Sequence, residues 1–174
     1  MGICDYGMVP LPHHTLCSGG KVEKYCYVFL VMHQYTVEYD ADNVPIHETK
    51  EIGLYSKKEL ADAAVKRFSG LVGFSSYPND FHVMKRRCYY HDQASCHPKS
   101  KAAVYRPYHE YYIPQEDCDF ITHGAFFVDK EAVEAVLEDW KKDKELAEYP
   151  EGFAVIEYTV DEDIRLWSEG FNRD

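Results

Sequence analysis

Tyr77-Pro78-Asn79-Asp80-Phe81-His82-Val83 returns 72 residues later as Tyr149-Pro150-Glu151-Gly152-Phe153-Ala154-Val155, and this recurrence decides how the rest of the chain reads. Ahead of each copy, His33-Gln34-Tyr35 is matched by His109-Glu110-Tyr111. A run ending at Ser56 and then helical spacing is matched by a run ending at Asp129 and then helical spacing. The offsets drift through 76, 73 and 72 residues. A recurrence at this spacing marks one supersecondary unit written twice, because such a unit cannot bury its apolar face alone.

Each unit resolves into the same elements. In the first, Tyr25 to Tyr39 is dense in β-branched and aromatic residues, which suit a pleated half-buried surface. Residues 40–45 carry Asp42, Asn43 and Pro45 and read as a turn, so residues 49–55 make a second, antiparallel strand. Ser56 stands three residues before Glu59, the spacing of a capping box. Leu60, Ala63, Ala64 and Phe68 then recur at helical spacing until Ser69-Gly70, and Phe81 to Tyr90 is a third strand. The second unit repeats this with strands over 104–113 and 120–128, a turn at 114–119 and a cap at Asp129. A helix carrying Val133, Val136, Leu137 and Trp140 follows, then a strand over 153–160. The right-handed crossover rule sets the third strand parallel to the second and beside the first, giving a local order 2-1-3 with the helix on one face.

The expected class is α+β: a tandem duplication of a strand-strand-helix-strand unit, forming a pseudo-dimeric, mainly antiparallel sheet structure with two helices. Residues 1–20 read as an irregular N-terminal arm, 21–90 as the first copy and 91–103 as a connector. Residues 104–174 read as the second copy, ending in a tail with Trp167 and Phe171. Units of about 65 to 70 residues bury too little surface to stand alone, so the copies are expected to share one core.

With 45% hydrophobic and 28% charged residues the composition is that of a globular protein, and the longest apolar run, Val28 to Met32, is far too short to span a membrane. The first residues lack the basic start and apolar core of a secretory signal, which points to the cytoplasm. The six cysteines then read as thiols or metal ligands. The net charge of −11 is unevenly placed, being +2 over residues 1–106 and −13 over 107–174. Such acidity repels nucleic-acid phosphates and attracts basic partners.

The string Glu48-Thr49-Lys50-Glu51-Ile52-Gly53-Leu54-Tyr55-Ser56, a helix with Ala61 and Ala64, and Gly73-Phe74-Ser75-Ser76-Tyr77-Pro78-Asn79-Asp80-Phe81 together resemble a small bacterial domain family of unknown function. The end of that family's pattern is matched in the second copy by Tyr149-Pro150-Glu151-Gly152-Phe153 and Trp167-Ser168-Glu169-Gly170-Phe171. The first copy keeps the front of the pattern and the second its back, with Ile121-Thr122-His123-Gly124 replacing the Glu-Thr-Lys and Ile-Gly elements. The resemblance implies a bacterial or phage origin and a single-module ancestor. It carries no catalytic residue.

Four groups of residues are candidates for chemistry or binding. His14-x-x-Cys17 and Cys88-x-x-His91 have the spacing of two zinc half-sites, with Cys96 and His97 as substitutes. No other cofactor is indicated, and the competing reading is that these are ordinary thiols and imidazoles. On a strand, His33 with Tyr35 and His109 with Tyr111 each share a face. They could act as acid-base groups in a cleft between copies, or simply satisfy each other and nearby carbonyls. Tyr105, Tyr108 and Tyr112, with the carboxylates Glu138, Asp139 and Glu145, suit a protein-binding face. Lys85-Arg86-Arg87, Lys99, Lys101 and Arg106 form a basic stretch among aromatics, read as a charged strand edge rather than a nucleic-acid site.

The chain holds no nucleophile elbow, phosphate loop or metalloprotease helix. The leading expectation is a non-enzymatic protein-binding module, such as an immunity or inhibitor protein, acting on a basic partner through an acidic, tyrosine-rich face. The alternatives are a small enzyme or ligand-binding protein using the paired His and Tyr, and a zinc-stabilised adaptor.

Overall fold

The computed structural model describes residues 2–3, 24–39, 43, 45–90, 98–114 and 118–164. Most of the expected arm, residues 91–97 of the connector and the Trp167/Phe171 tail lie outside these residues. In chain order the elements are β1 (Gly2–Ile3), β2 (Lys24–Tyr39), β3 (Pro45–Tyr55), α1 (Lys58–Phe68), β4 (Phe81–Tyr90), β5 (Ala103–Ile113), β6 (Cys118–His123), β7 (Phe126–Phe127), α2 (Lys130–Trp140), β8 (Phe153–Thr159) and β9 (Glu162–Asp163). Short 3-10 turns at Leu146–Glu148 and Pro150–Gly152 join α2 to β8. The protein is thus mixed α and β, with two α-helices on a large, mainly antiparallel sheet among the described residues.

In the first half β2 lies between β3 and β4, antiparallel to both. In the second half β5 lies between β6 and β8 in the same way. Both halves therefore carry the expected 2-1-3 order. The register is also shared: His33 faces Lys50 and Phe81, while His109 faces Thr122 and Phe153. Both helices have 11 residues, and Lys58 and Phe68 lie 72 positions before Lys130 and Trp140. Phe81 and Phe153, which open β4 and β8, are half-buried rather than fully buried.

Each unit's last strand then reaches across to the other unit. β4 pairs in parallel with β7 through Cys88 and Tyr89. β8 continues through a turn at Val160 and Asp161 into β9, which pairs with β3. The strands thereby close a ring. Asp161 holds a positive φ of 63°, a conformation that aspartate tolerates better than most residues. Its carboxylate accepts hydrogen bonds from the Ser56 backbone N–H at 2.7 Å and hydroxyl at 2.9 Å. Asp163 accepts from the Tyr55 hydroxyl at 2.6 Å and from Arg67 at 2.7 Å.

Inside the ring lies one core fed by both halves. Cys26, Val28, Leu30, Leu54 and Cys88 come from the first half, and Val104, Phe126, Tyr158 and Val160 from the second. The other face of β2 carries Phe29, Val31 and Tyr35 into a second core, where Ala61, Ala64 and Phe68 of α1 meet Ile52 and Phe74. Period-2 alternation along β2 feeds both cores from one strand.

Two local expectations need correction. The residue preceding α1 is Lys57, not Ser56, and neither Lys57 nor Asp129 makes a side-chain cap hydrogen bond. Ser56 is diverted to Asp161, so its hydroxyl ties the halves together instead of starting a helix. The apolar stripe of α1 also turns: Leu60 and Ala63 are exposed, and Ala61 faces the sheet with Ala64 and Phe68. No helix among the described residues is long and apolar enough to cross a membrane.

Candidate functional site

His33 and His109 are both fully buried, each in its own half. The His33 Nε2–H donates to the Tyr77 carbonyl at 2.9 Å, its ring lies 4.5 Å from Phe81, and Tyr35 stacks on Tyr77 at 4.5 Å. In the second half His109 donates from Nε2 to the Tyr149 carbonyl at 2.9 Å, lies 4.1 Å from Phe153, and Tyr111 stacks on Tyr149 at 4.1 Å. The Tyr35 hydroxyl donates to Glu48 at 2.7 Å. Each His-x-Tyr pair thus clamps a Tyr-Pro turn onto the central strand of its unit. A buried carbonyl left without a donor would be costly, which gives the imidazole a structural task.

Burial holds the His33 imidazole below its ordinary value of 6.5, against the raising effect of the Tyr77 carbonyl. Since the unfolded chain takes up a proton that the folded state resists, this contribution to stability is present above the ordinary value and lost as pH falls through the folded one. Urea unfolding of the wild type should accordingly steepen its loss of stability below about pH 6.5, and His33→Gln should flatten that slope whatever its absolute stability. Equal slopes would contradict the reading.

The second cluster lies inside the ring, and the sequence reading missed it. A β-bulge shifts the β2–β3 register so that Val31 faces Gly53 and Met32 faces Glu51. Ile52 is thereby sent to the core under α1, and Glu51 is aimed into the ring. There Glu51 accepts from Arg106 Nη1 at 2.8 Å and from the Tyr158 hydroxyl. Arg106 is 5% exposed, donates from Nε to the Gly124 carbonyl at 3.1 Å, and lies over the Phe126 ring at 5.0 Å. Arg86 approaches from β4, between Met84 and Cys88, and donates to the Met84 sulfur at 2.9 Å. At the rim, the Tyr108 hydroxyl bonds Glu110 and its ring lies 5.2 Å from that of His123. Burial first, then the Glu110 hydrogen bond and charge, push the Tyr108 hydroxyl well above the usual phenol range, so it remains a donor.

The basic stretch is therefore split by the sheet. Lys85 and Arg87 point outward, over the rings of Tyr27 at 3.7 Å and Tyr25 at 4.8 Å, and the alternation in Lys85-Arg86-Arg87 was the available signal that Arg86 faces the other way. The six residues of the expected binding face are spread over different elements. Tyr105 and Tyr108 are half-buried on β5, and Tyr112 is exposed. Glu138 and Asp139 are exposed on α2, held by Lys141 at 2.7 Å and Lys142 at 2.6 Å, and Glu145 is exposed on the turn beyond.

Of the zinc residues, Cys88 is buried in the shared core opposite Cys26, whose thiol donates to the Cys88 carbonyl at 3.6 Å. The adjacent Cys26 thiol and burial raise the Cys88 thiol far above its usual range. His14, Cys17, His91, Cys96 and His97 lie outside the described residues. Among the described residues no group of three or more His, Cys, Asp or Glu side chains is placed to hold a metal ion.

Comparison with family models, with curated proteins and with solved structures finds no significant match. What the geometry defines is an α+β protein whose strands ring a core with a charged interior. Its two halves share strand order, register and helix length.

Proposed function

We propose that the protein is a non-enzymatic binding module, derived by tandem duplication of one strand-strand-helix-strand unit of the resembled family, that docks a basic protein partner through the carboxylates of its second half. An immunity or inhibitor protein acting in the cytoplasm on a nuclease-like partner fits this description. The observation that carries the reading is the surface from α2 to the start of β8. Between Lys130 and Glu151 the chain sets eight carboxylates against four lysines. Glu131, Glu134, Glu138, Asp139, Glu145, Glu148 and Glu151 are all exposed there. Such a field steers an oppositely charged partner and is screened over about 10 Å at 0.1 M salt.

Support for a non-enzymatic role comes from the paired histidines, which are fully buried and whose Nε2 atoms are committed to holding the Tyr-Pro turns. The duplication is supported by the constant 72-residue offset of both helix ends and of Phe81 and Phe153. The test is capture of the partner from the native host, followed by stopped-flow association. Reversing Glu138, Asp139 and Glu145 to lysine should slow association roughly ten-fold or more at low salt, and the difference should shrink as salt rises. The same reversal at Glu38, Glu59 and Asp62, exposed on the first half, should leave the rate within about two-fold. Equal slowing by both sets would reduce the acidity to a solubility feature.

A further inference from the structure

Among the described residues, the interior of the ring sets the guanidiniums of Arg86 and Arg106 against the single carboxylate of Glu51. Glu51 has one oxygen on Arg106 and the other on the Tyr158 hydroxyl, and it acts on Arg86 through charge without a hydrogen bond. Arg86 remains. Among the described residues its one hydrogen bond is from Nη2 to the thioether of Met84, a weak acceptor. Its Nε is buried and has no hydrogen-bond partner among the described residues. A guanidinium presents five donors in a planar fork, and one left half-satisfied in a low-dielectric interior is expensive unless an anion completes it.

We propose that Arg86, beside the Arg106–Glu51 pair, forms a binding site for the oxyanion of a small ligand, a phosphate or a carboxylate group. The charge count favours an anion, because among the described residues two guanidiniums face one interior carboxylate, with Glu110 exposed at the rim. Burial first, and then repulsion from Arg106, lower the Arg86 pKa against the raising effect of Glu51. The chemistry favours an oxyanion over a halide, since adjacent guanidinium N–H groups match paired oxygens. The polar groups of this region also grade outward, from buried Arg106 through half-buried Arg86 and Tyr108 to exposed Glu110 and His123.

The site is independent of the acidic surface on α2, so either proposal can fail without the other. The experiment is isothermal titration of the purified full chain with inorganic phosphate and, separately, acetate, both at constant ionic strength in chloride. The wild type should bind one of them saturably at about one per chain with a millimolar or tighter Kd, and be stabilised to heat by it. Which probe binds more tightly separates a phosphate ligand from a carboxylate one. Arg86→Gln should weaken binding at least roughly ten-fold, the loss expected of a charge-assisted pair. Lys85→Gln, which removes a neighbouring charge on the outer face, should stay within about two-fold of wild type.

Arg86→Met is the second variant. By removing a poorly compensated charge it should fold at least as stably as wild type without anion, while losing the stabilisation by anion. Absence of saturable binding of either probe to the wild type would overturn the proposal. So would equal binding by wild type and Arg86→Met, which would mean that the anion sits elsewhere.

Discussion

Glu51→Ala is expected to cost roughly 3–5 kcal/mol of folding stability, the usual penalty for stranding the partner of a buried ion pair. Arg106 has only 6% of its side chain exposed, and no other carboxylate bonds it in the described structure. Glu51 itself is 20% exposed, which places the loss toward the lower end of that range. The matching removal, Glu51→Ala with Arg106→Met, should recover much of the stability, because an apolar pair avoids the desolvation that the ions incur. Tyr158→Phe should cost less, about 1–3 kcal/mol, since it deletes one hydrogen bond to a charged group. Urea unfolding of the wild type, Glu51→Ala, Arg106→Met and the double variant forms a double-mutant cycle, with Tyr158→Phe as a control. A loss below about 1 kcal/mol for Glu51→Ala would show that the pair behaves as a solvated surface pair.

Phe126→Ala is expected to cost about 3–5 kcal/mol, in line with other buried aromatics. Its side chain is 2% exposed and sits between the Arg106 guanidinium and the Tyr158 ring, 5.4 Å away. Leu54 holds the position 72 residues earlier and is fully buried in the same core, so Leu54→Ala should cost about 2–5 kcal/mol. The more informative result is the shape of the transition. Because both side chains belong to one core, each variant should unfold in a single step with wild-type dependence on denaturant. A Phe126→Ala protein that loses only its second half, leaving a folded first half, would mean that the units have separate cores.

Gly152 shows how closely the repeated turns fit. A Cβ there would lie 2.0 Å from the Glu110 carbonyl oxygen and 3.0 Å from His109 Nε2, so only glycine lets the turn press on β5. The first unit places Asp80 at the corresponding position, and its carbonyl accepts from the Gln34 N–H at 2.9 Å. The two turns resemble each other in the tyrosine, the proline and the phenylalanine, and differ at the residue that decides how near the backbone can approach.

The order of elements was legible because it depends on neighbours in sequence. Alternation along Tyr25 to Tyr39, the helical spacing before Ser69-Gly70 and the recurring Tyr-Pro-x-x-Phe run are local patterns, and the crossover rule then leaves few arrangements. The ring was not legible. Its closing contacts are made by β7 and β9, two residues each, which are too short to have a periodicity of their own. Ser56 illustrates the same limit. Its spacing to Glu59 is that of a helix cap, but Asp161, far along the chain, offers its hydroxyl and backbone N–H a pair of carboxylate oxygens. A charged acceptor makes the stronger hydrogen bonds, and the cap gives way.

The sequence alone determined the order strand, strand, helix and strand in each half, since those features are set by residues a few positions apart. Tertiary structure alone decided which charges go inside. The bulge at Ile52 turns Glu51 inward, the pleat turns Arg86 away from Lys85 and Arg87, and pairing across the halves brings both beside Arg106. The alternation in Lys85-Arg86-Arg87 sets Arg86 on the opposite face, but which face is the interior depends on what the rest of the chain places opposite it.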